Sequence, residues 1–234
     1  MHHYPLKRNI VKYKLIAGLY FVTGVLFITG DAAVPGIPGI ILKSLLIPIL
    51  ALYFILNSEG KKDKLFFILI AGLFFSWAGD VLLEYKSPSV SLFLPGLASF
   101  LMAHIMYIIL FFSTPGKNMS LIRFLFFTGL LSVYGATLFS IISEYLGGMR
   151  FPVMIYAFTI LLMLLGALNR INKVNRKSYI LTVCGAFLFV LSDSLLAINR
   201  FGYDFSFSGP AVMSTYLAAQ FLIVEGILKE KSAD

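Results

Sequence analysis

Charge is scarce in this sequence, and so are the residue types that many enzymes use. Asp, Glu, Lys and Arg make up only 13% of its 234 residues, too few to coat a water-soluble domain of this size. A single cysteine, Cys184, excludes an intramolecular disulfide and lacks the spacing partners of a zinc or iron–sulfur site. Histidine is confined to the N-terminal Met1-His2-His3 and to His104, and no HExxH occurs, so a histidine-built zinc hydrolase lacks its ligands. Neither a G-x-S-x-G elbow nor a P-loop is present. No metal and no organic cofactor is therefore expected.

What the chain has instead is apolar length. Hydrophobic residues account for 59% of it, with 23 Phe among them. Apolar runs broken by charge and turn clusters predict eight helices, at roughly 14–30, 39–58, 65–84, 92–113, 120–142, 151–169, 179–199 and 209–228. Eight spans of about 20 residues use roughly 160 positions. The rest suffices for loops and tails, so the expectation is an all-α polytopic membrane protein, a single integral membrane domain over 1–234. The first run follows Lys7, Arg8, Lys12 and Lys14 like a signal-peptide n-region, but it has no clear A-x-A site and reads as a retained helix. Pro35-Gly36 and Gly147-Gly148 read as loops.

The formal charge of +8 invites a nucleic-acid reading that its distribution rejects. Fifteen of the nineteen Lys and Arg fall in the N-terminal tail, in alternate loops and in the C-terminal tail. Lys86, Arg150 and Arg200 fall on the other side, and Lys43 lies just inside the second helix. The positive-inside rule then puts both termini in the cytoplasm, with membrane lipids rather than nucleic acid as partners of the basic loops. A bacterial cytoplasmic membrane is the expected location.

An internal repeat is visible at an offset of 113 residues. Gly72, Asp80, Leu82 and Leu83 in the third helix correspond to Gly185, Asp193, Leu195 and Leu196 in the seventh, and Tyr107 in the fourth to Gln220 in the eighth. Because the offset is four helices, an even number, the halves, about 1–113 and 114–234, form a parallel four-plus-four repeat related by an axis along the membrane normal.

Two acids lie where lipid should be. A carboxylate at the centre of a spanning helix costs at least about 2.5 kcal/mol on insertion scales, so Asp80 and Asp193 are functional candidates. At 1.5 Å of rise per residue they lie about 22 Å and 21 Å from the cytoplasmic ends of their helices, Lys43 about 21 Å, and His104 and Gln220 about 14 Å. Five polar groups from five helices thus share one layer, where they should turn inward and meet. Ser76 shares the face of Asp80, Tyr107 that of His104 and Tyr216 that of Gln220. Ser192 and Ser194 flank Asp193, and Asn199 follows six residues later.

Structural readings stand beside these. The aspartates could be satisfied by Lys43 and hydroxyls, His104 could be a hydrogen-bonded core residue, and Lys43 could snorkel to the interface. Glu84 is expected to reach water at a helix end, and Glu225 to pair with Lys229 at i, i+4. Two neighbouring carboxyls in low dielectric titrate as a pair, which separates an acid from a base. That suits a reaction through an oxocarbenium-like cation, and equally a proton relay in a coupled transporter.

At these residues the sequence resembles the YhhN family of membrane lysoplasmalogenases. The resemblance runs through Gly79-Asp80-Val81-Leu82-Leu83, Ala103-His104-Ile105-Met106-Tyr107, Ser192-Asp193-Ser194-Leu195-Leu196-Ala197 and Tyr216-Leu217-Ala218-Ala219-Gln220. It implies hydrolysis of the vinyl ether bond of a lysoplasmalogen, a lysophospholipid, to a fatty aldehyde and a glycerophospho-ethanolamine or -choline. Asp80, Asp193 and His104 are then the expected catalytic residues. Lys43, Tyr107, Tyr216, Gln220, Asn199 and Arg200 are the expected substrate-binding set, with Lys43 or Arg200 receiving the phosphate.

Overall fold

The computed structural model describes residues 6–30, 38–58, 62–85, 92–203 and 205–230, the side chains of 6–13 excepted. The Pro35-Gly36 turn, Lys86 and the N-terminal histidines lie outside them. The described residues form eight α-helices: α1 (Leu6–Thr29), α2 (Gly39–Asn57), α3 (Lys64–Glu84), α4 (Phe93–Ser113), α5 (Leu121–Ile142), α6 (Arg150–Leu168), α7 (Arg176–Phe201) and α8 (Ser208–Leu228). Short 3-10 turns link α5 to α6 and α6 to α7. Gly147, in the first link, takes a positive φ of 49°, which suits a residue without Cβ. Asp63 and Asn175 cap α3 and α7 by accepting from the backbone N–H of Phe66 and Ser178.

Helices α2 to α8 are long and apolar enough to cross a membrane. Helix α1 starts at Leu6, eight residues earlier than expected, but its first turns carry charge, leaving a shorter apolar part at Lys14–Thr29. The Tyr20 hydroxyl donates to the Leu217 carbonyl of α8 at 3.0 Å and so ties α1 to the bundle. With so many apolar helices the chain is an integral membrane protein.

The most extensive helix contacts are those of α3 with α4 and of α7 with α8. Small residues permit both approaches, as packing between helices in lipid requires. A Cβ on Gly72 would fall 2.8 Å from the Tyr107 ring, and one on Gly185 would fall 2.9 Å from the Ala219 carbonyl and the Ile223 amide. The second pair of obstacles is backbone and cannot swing aside. Gly185→Leu is therefore expected to cost about 1–3 kcal/mol by overpacking, read as a lower melting temperature in detergent. Gly129→Leu, where a Cβ meets nothing within 4 Å, is the matched control and should melt like the parent.

Around these pairs the core is built from Leu46, Leu50, Leu69, Leu110, Phe189 and Ile223, all fully buried. Helix α5 stands at the rim, with only Ile142 buried along its length.

The end of the bundle that carries the α6–α7 link contains an ion pair where the charge pattern suggests only surface cations. Arg170 is fully buried, and its Nη2 donates to Glu230 at 2.5 Å and to Ser178 at 3.4 Å. Its Nη1 donates to Thr182, and the guanidinium lies over the Phe111 ring at 5.7 Å. Lys173 is also buried and donates to the Phe112 carbonyl at 3.2 Å. Two of the cations counted as lipid-facing are thus internal ties between helix ends.

Candidate active site

The C-terminal ends of α3 and α7 and the start of α4 frame a cavity of about 720 Å3, within the usual range for a small-molecule site of about 300–1,000 Å3. Tyr85, Leu92, Arg200 and Phe201 line its outer part, and Leu97, Phe100, Leu196 and Met213 line its walls. Asp80 and Asp193 both line it, about 7 and 10 Å further along their helices than Tyr85 and Arg200. Residues 113 positions apart in sequence are thus brought to one cavity.

Each carboxylate is held by a tyrosine from a different helix. Asp80, 2% exposed, accepts a hydrogen bond from the Tyr216 hydroxyl of α8 at 2.7 Å. Behind Tyr216 the Gln220 side chain organises the next shell. Its Nε2 donates to Ser76 at 3.0 Å and to the Tyr216 oxygen at 3.4 Å, while its Oε1 accepts from the Tyr107 hydroxyl at 2.7 Å. The two residues related by the 113-residue offset, Tyr107 and Gln220, are therefore bonded to each other. Both are fully buried and stand behind Tyr216 rather than on the cavity surface.

Asp193 accepts from the Tyr156 hydroxyl of α6. The His104 Nε2 lies 3.7 Å from the same carboxylate oxygen, too far for a hydrogen bond. The imidazole is fully buried, edge-on to the Tyr156 and Phe189 rings, and neither ring nitrogen has a hydrogen-bond partner among the described residues. A buried polar group left in this state is costly, which sets His104 apart from the packing residues around it.

Lys43 also lines the cavity, but its ammonium pairs with Glu84 at 3.2 Å. Glu84, the last residue of α3, reaches water as expected, its side chain being 25% exposed, and also pairs with a lysine that shares the cavity with both aspartates. Arg200 is exposed at the rim, its guanidinium 5.0 Å over the Phe93 ring. Asn199 does not line the cavity, and its Oδ1 is buried without a partner among the described residues. Ser192 donates to the Val212 carbonyl at 2.9 Å and Ser194 bonds Tyr134 at 2.7 Å, so both serve helix contacts. Glu225 meets Lys229 at 4.0 Å as expected and also accepts from Tyr53.

Sequence reasoning missed Tyr156. It sits in an apolar helix among residues that read as packing, and the available signal was a hydroxyl in a span that otherwise offers few partners for a carboxylate. Among the described residues, no group of three His, Cys, Asp or Glu side chains is arranged to hold a metal ion.

Fold and site together define an integral membrane protein with two intramembrane carboxylates, each carrying a tyrosine donor, at one largely apolar cavity of lipid-accommodating size. The chain belongs to the YhhN family, whose model matches residues 39–227. It is 30% identical over 228 residues to lysoplasmalogenase TMEM86B of Mus musculus, covering 97% of this chain and 89% of that protein. It is 29% identical over 161 residues to lysoplasmalogenase TMEM86A of Bos taurus, covering 66% of this chain and 62% of that protein. No solved structure matches it at a significant level.

Proposed function

We propose that this protein hydrolyses the vinyl ether bond of a lysoplasmalogen, using Asp80 and Asp193 as an acid–base pair. The observation that carries the reading is the convergence of both carboxylates on one apolar cavity, in a chain whose relatives are named lysoplasmalogenases.

The chemistry asks for little more. One carboxylic acid delivers a proton to the alkenyl carbon remote from the ether oxygen, and the double bond becomes an oxocarbenium ion. The other carboxylate stabilises that cation and takes a proton from the water that captures it. The resulting hemiacetal collapses to a fatty aldehyde and a glycerophospho-alcohol, so one water is consumed and no electrons are transferred. The hydroxyls of Tyr216 and Tyr156 stabilise whichever carboxylate is ionised, and Gln220 and Tyr107 hold Tyr216 in place. His104 stands where it would accept or return a proton through Asp193.

The apolar walls suit a lipid, and Arg200 at the rim suits its phosphate. The proposed eight crossings, the four-plus-four repeat and cytoplasmic termini fit this account: the mouth then opens on the side away from the cytoplasm. Asp80 of α3 bonding α8, and Asp193 of α7 lying against α4, is the exchange of partners that two related halves would make.

The direct test is aldehyde release from a lysoplasmalogen by the purified protein. Arg200→Gln is expected to raise KM by about tenfold, or about 1.4 kcal/mol, with kcat little changed, because a headgroup contact acts equally on bound substrate and transition state. A vinyl ether without a phosphate should show no such rise, and an equal rise for both would remove Arg200 from headgroup binding.

A further inference from the structure

The floor of the main cavity is also the wall of a second space. Val153, Tyr156, Asp193 and Ala197 border both the 720 Å3 cavity and a void of about 40 Å3 between α5, α6 and α7. That void in turn shares Gly135, Phe139, Ala157 and Leu161 with a third space of about 540 Å3 between α5 and α6. This last groove is apolar apart from two hydroxyls, those of Thr128 and Ser132. It runs along α5 from Phe124 to Phe139, about 22 Å by helical rise, longer than one leaflet's share, about 15 Å, of the hydrocarbon core.

The order of groups in the lipid gives this series of spaces a direction. In a lysoplasmalogen the reacting bond lies between the headgroup and the hydrocarbon chain. With the headgroup at Arg200 on the rim and the bond at Asp193, a chain continuing onward meets Tyr156 and then the void behind it. Behind Asp80 the path is filled by buried Tyr107, Gln220 and Ser76, so the onward route there is closed. Helix α5, with only Ile142 buried, is the least anchored wall of the route. At the junction of the void and the groove, Gly135 packs closely on Leu161: a Cβ on the glycine would lie 2.6 Å from the Leu161 Cδ1.

We propose that the α5–α6 groove is the binding site for the hydrocarbon chain of the substrate, reached through a neck formed by Tyr156, Gly135 and Leu161. The aldehyde formed at Asp193 then already has its chain in the groove that faces the bilayer, and leaves by that route. The position of the reacting bond rests on the lysoplasmalogen reading.

Two measurements test the groove, one of them independent of turnover. A lysophospholipid with a saturated alkyl-ether chain ending in a diazirine is bound to the wild-type protein, photolysed, and the labelled residues are mapped by mass spectrometry. The expected result is labelling of α5 and α6 groove residues that excess unlabelled alkyl-ether lysophospholipid displaces. Labelling confined to α3, α4 and α8, or groove labelling that the excess does not displace, overturns the proposal. The second measurement is the ratio of kcat/KM for long- over short-chain vinyl ether substrates in Ala157→Trp. It should fall about tenfold, or about 1.4 kcal/mol, which is what losing contact with about two methylene groups supplies. A ratio equal to the parent's in a folded variant overturns the proposal. Displaceable groove labelling in a protein that releases no aldehyde from any chain length supports the groove and contradicts the hydrolase reading.

Discussion

Asp80→Asn and Asp193→Asn are each expected to lower the rate of aldehyde release by about 10²- to 10⁴-fold, while the protein remains folded and monodisperse in detergent. The amide keeps the size of the carboxyl and can still accept from Tyr216 or Tyr156, so the packing of α3 on α8 and of α7 on α6 is preserved. What it cannot do is deliver a proton to carbon or carry the negative charge that offsets an oxocarbenium ion. The two variants should fail alike, since either loss breaks the pair. Steady-state aldehyde formation with melting curves run alongside checks this. Full turnover in either folded variant removes that residue from the chemistry, and loss of folding in both would make the carboxylates structural.

The largest effect on stability is expected far from that cavity, at Arg170. Its guanidinium is wholly buried, and Glu230 is its only carboxylate partner among the described residues. Glu230→Gln leaves an uncompensated charge inside the bundle, a change that typically costs about 3–5 kcal/mol. The Glu230 side chain is 20% exposed, which admits some water and favours the lower end of that range. The loss should appear as a marked fall in melting temperature, against little change for Glu144→Gln on its exposed turn. Replacing both partners, with Arg170→Met and Glu230→Gln together, should recover part of it, because no buried charge is then stranded. Equal melting of Glu230→Gln and the parent would mean that Arg170 is solvated or paired elsewhere.

Helix positions were legible in the sequence because in lipid the apolar run is itself the element. Boundaries for α2 to α6 and α8 fall within one or two residues of the expected ones, and α7 is longer at both ends. The difference at α1 arises because hydropathy stops at the charged Lys7–Lys14 segment while the backbone continues helical to Leu6. The polar layer was legible for the same reason: a carboxylate or an imidazole in such a run has few places to go.

Partner choice was not legible. Which polar group meets which depends on the rotation of each helix about its axis, and helices that are apolar on every side encode that rotation only weakly. Lys43 shares the cavity with both aspartates but takes Glu84 as its ion-pair partner, and Asp193 accepts its hydrogen bond from Tyr156. Arg170 turns inward from a loop whose cations read as lipid contacts. Each of these is a pairing across the bundle that local spacing does not carry. Tyr107 and Gln220, expected as equivalent positions of two halves, are bonded to each other, a contact that the offset itself does not dictate.

The central claim is that a proton reaches carbon at this cavity. Its most direct test is to give the purified protein, in heavy water, a lysoplasmalogen and its saturated alkyl-ether analogue, and to weigh any aldehyde by mass spectrometry. The account predicts aldehyde from the vinyl ether alone, carrying a single deuterium on the carbon next to the carbonyl. Aldehyde without that deuterium, aldehyde from both lipids, or none from either would contradict it.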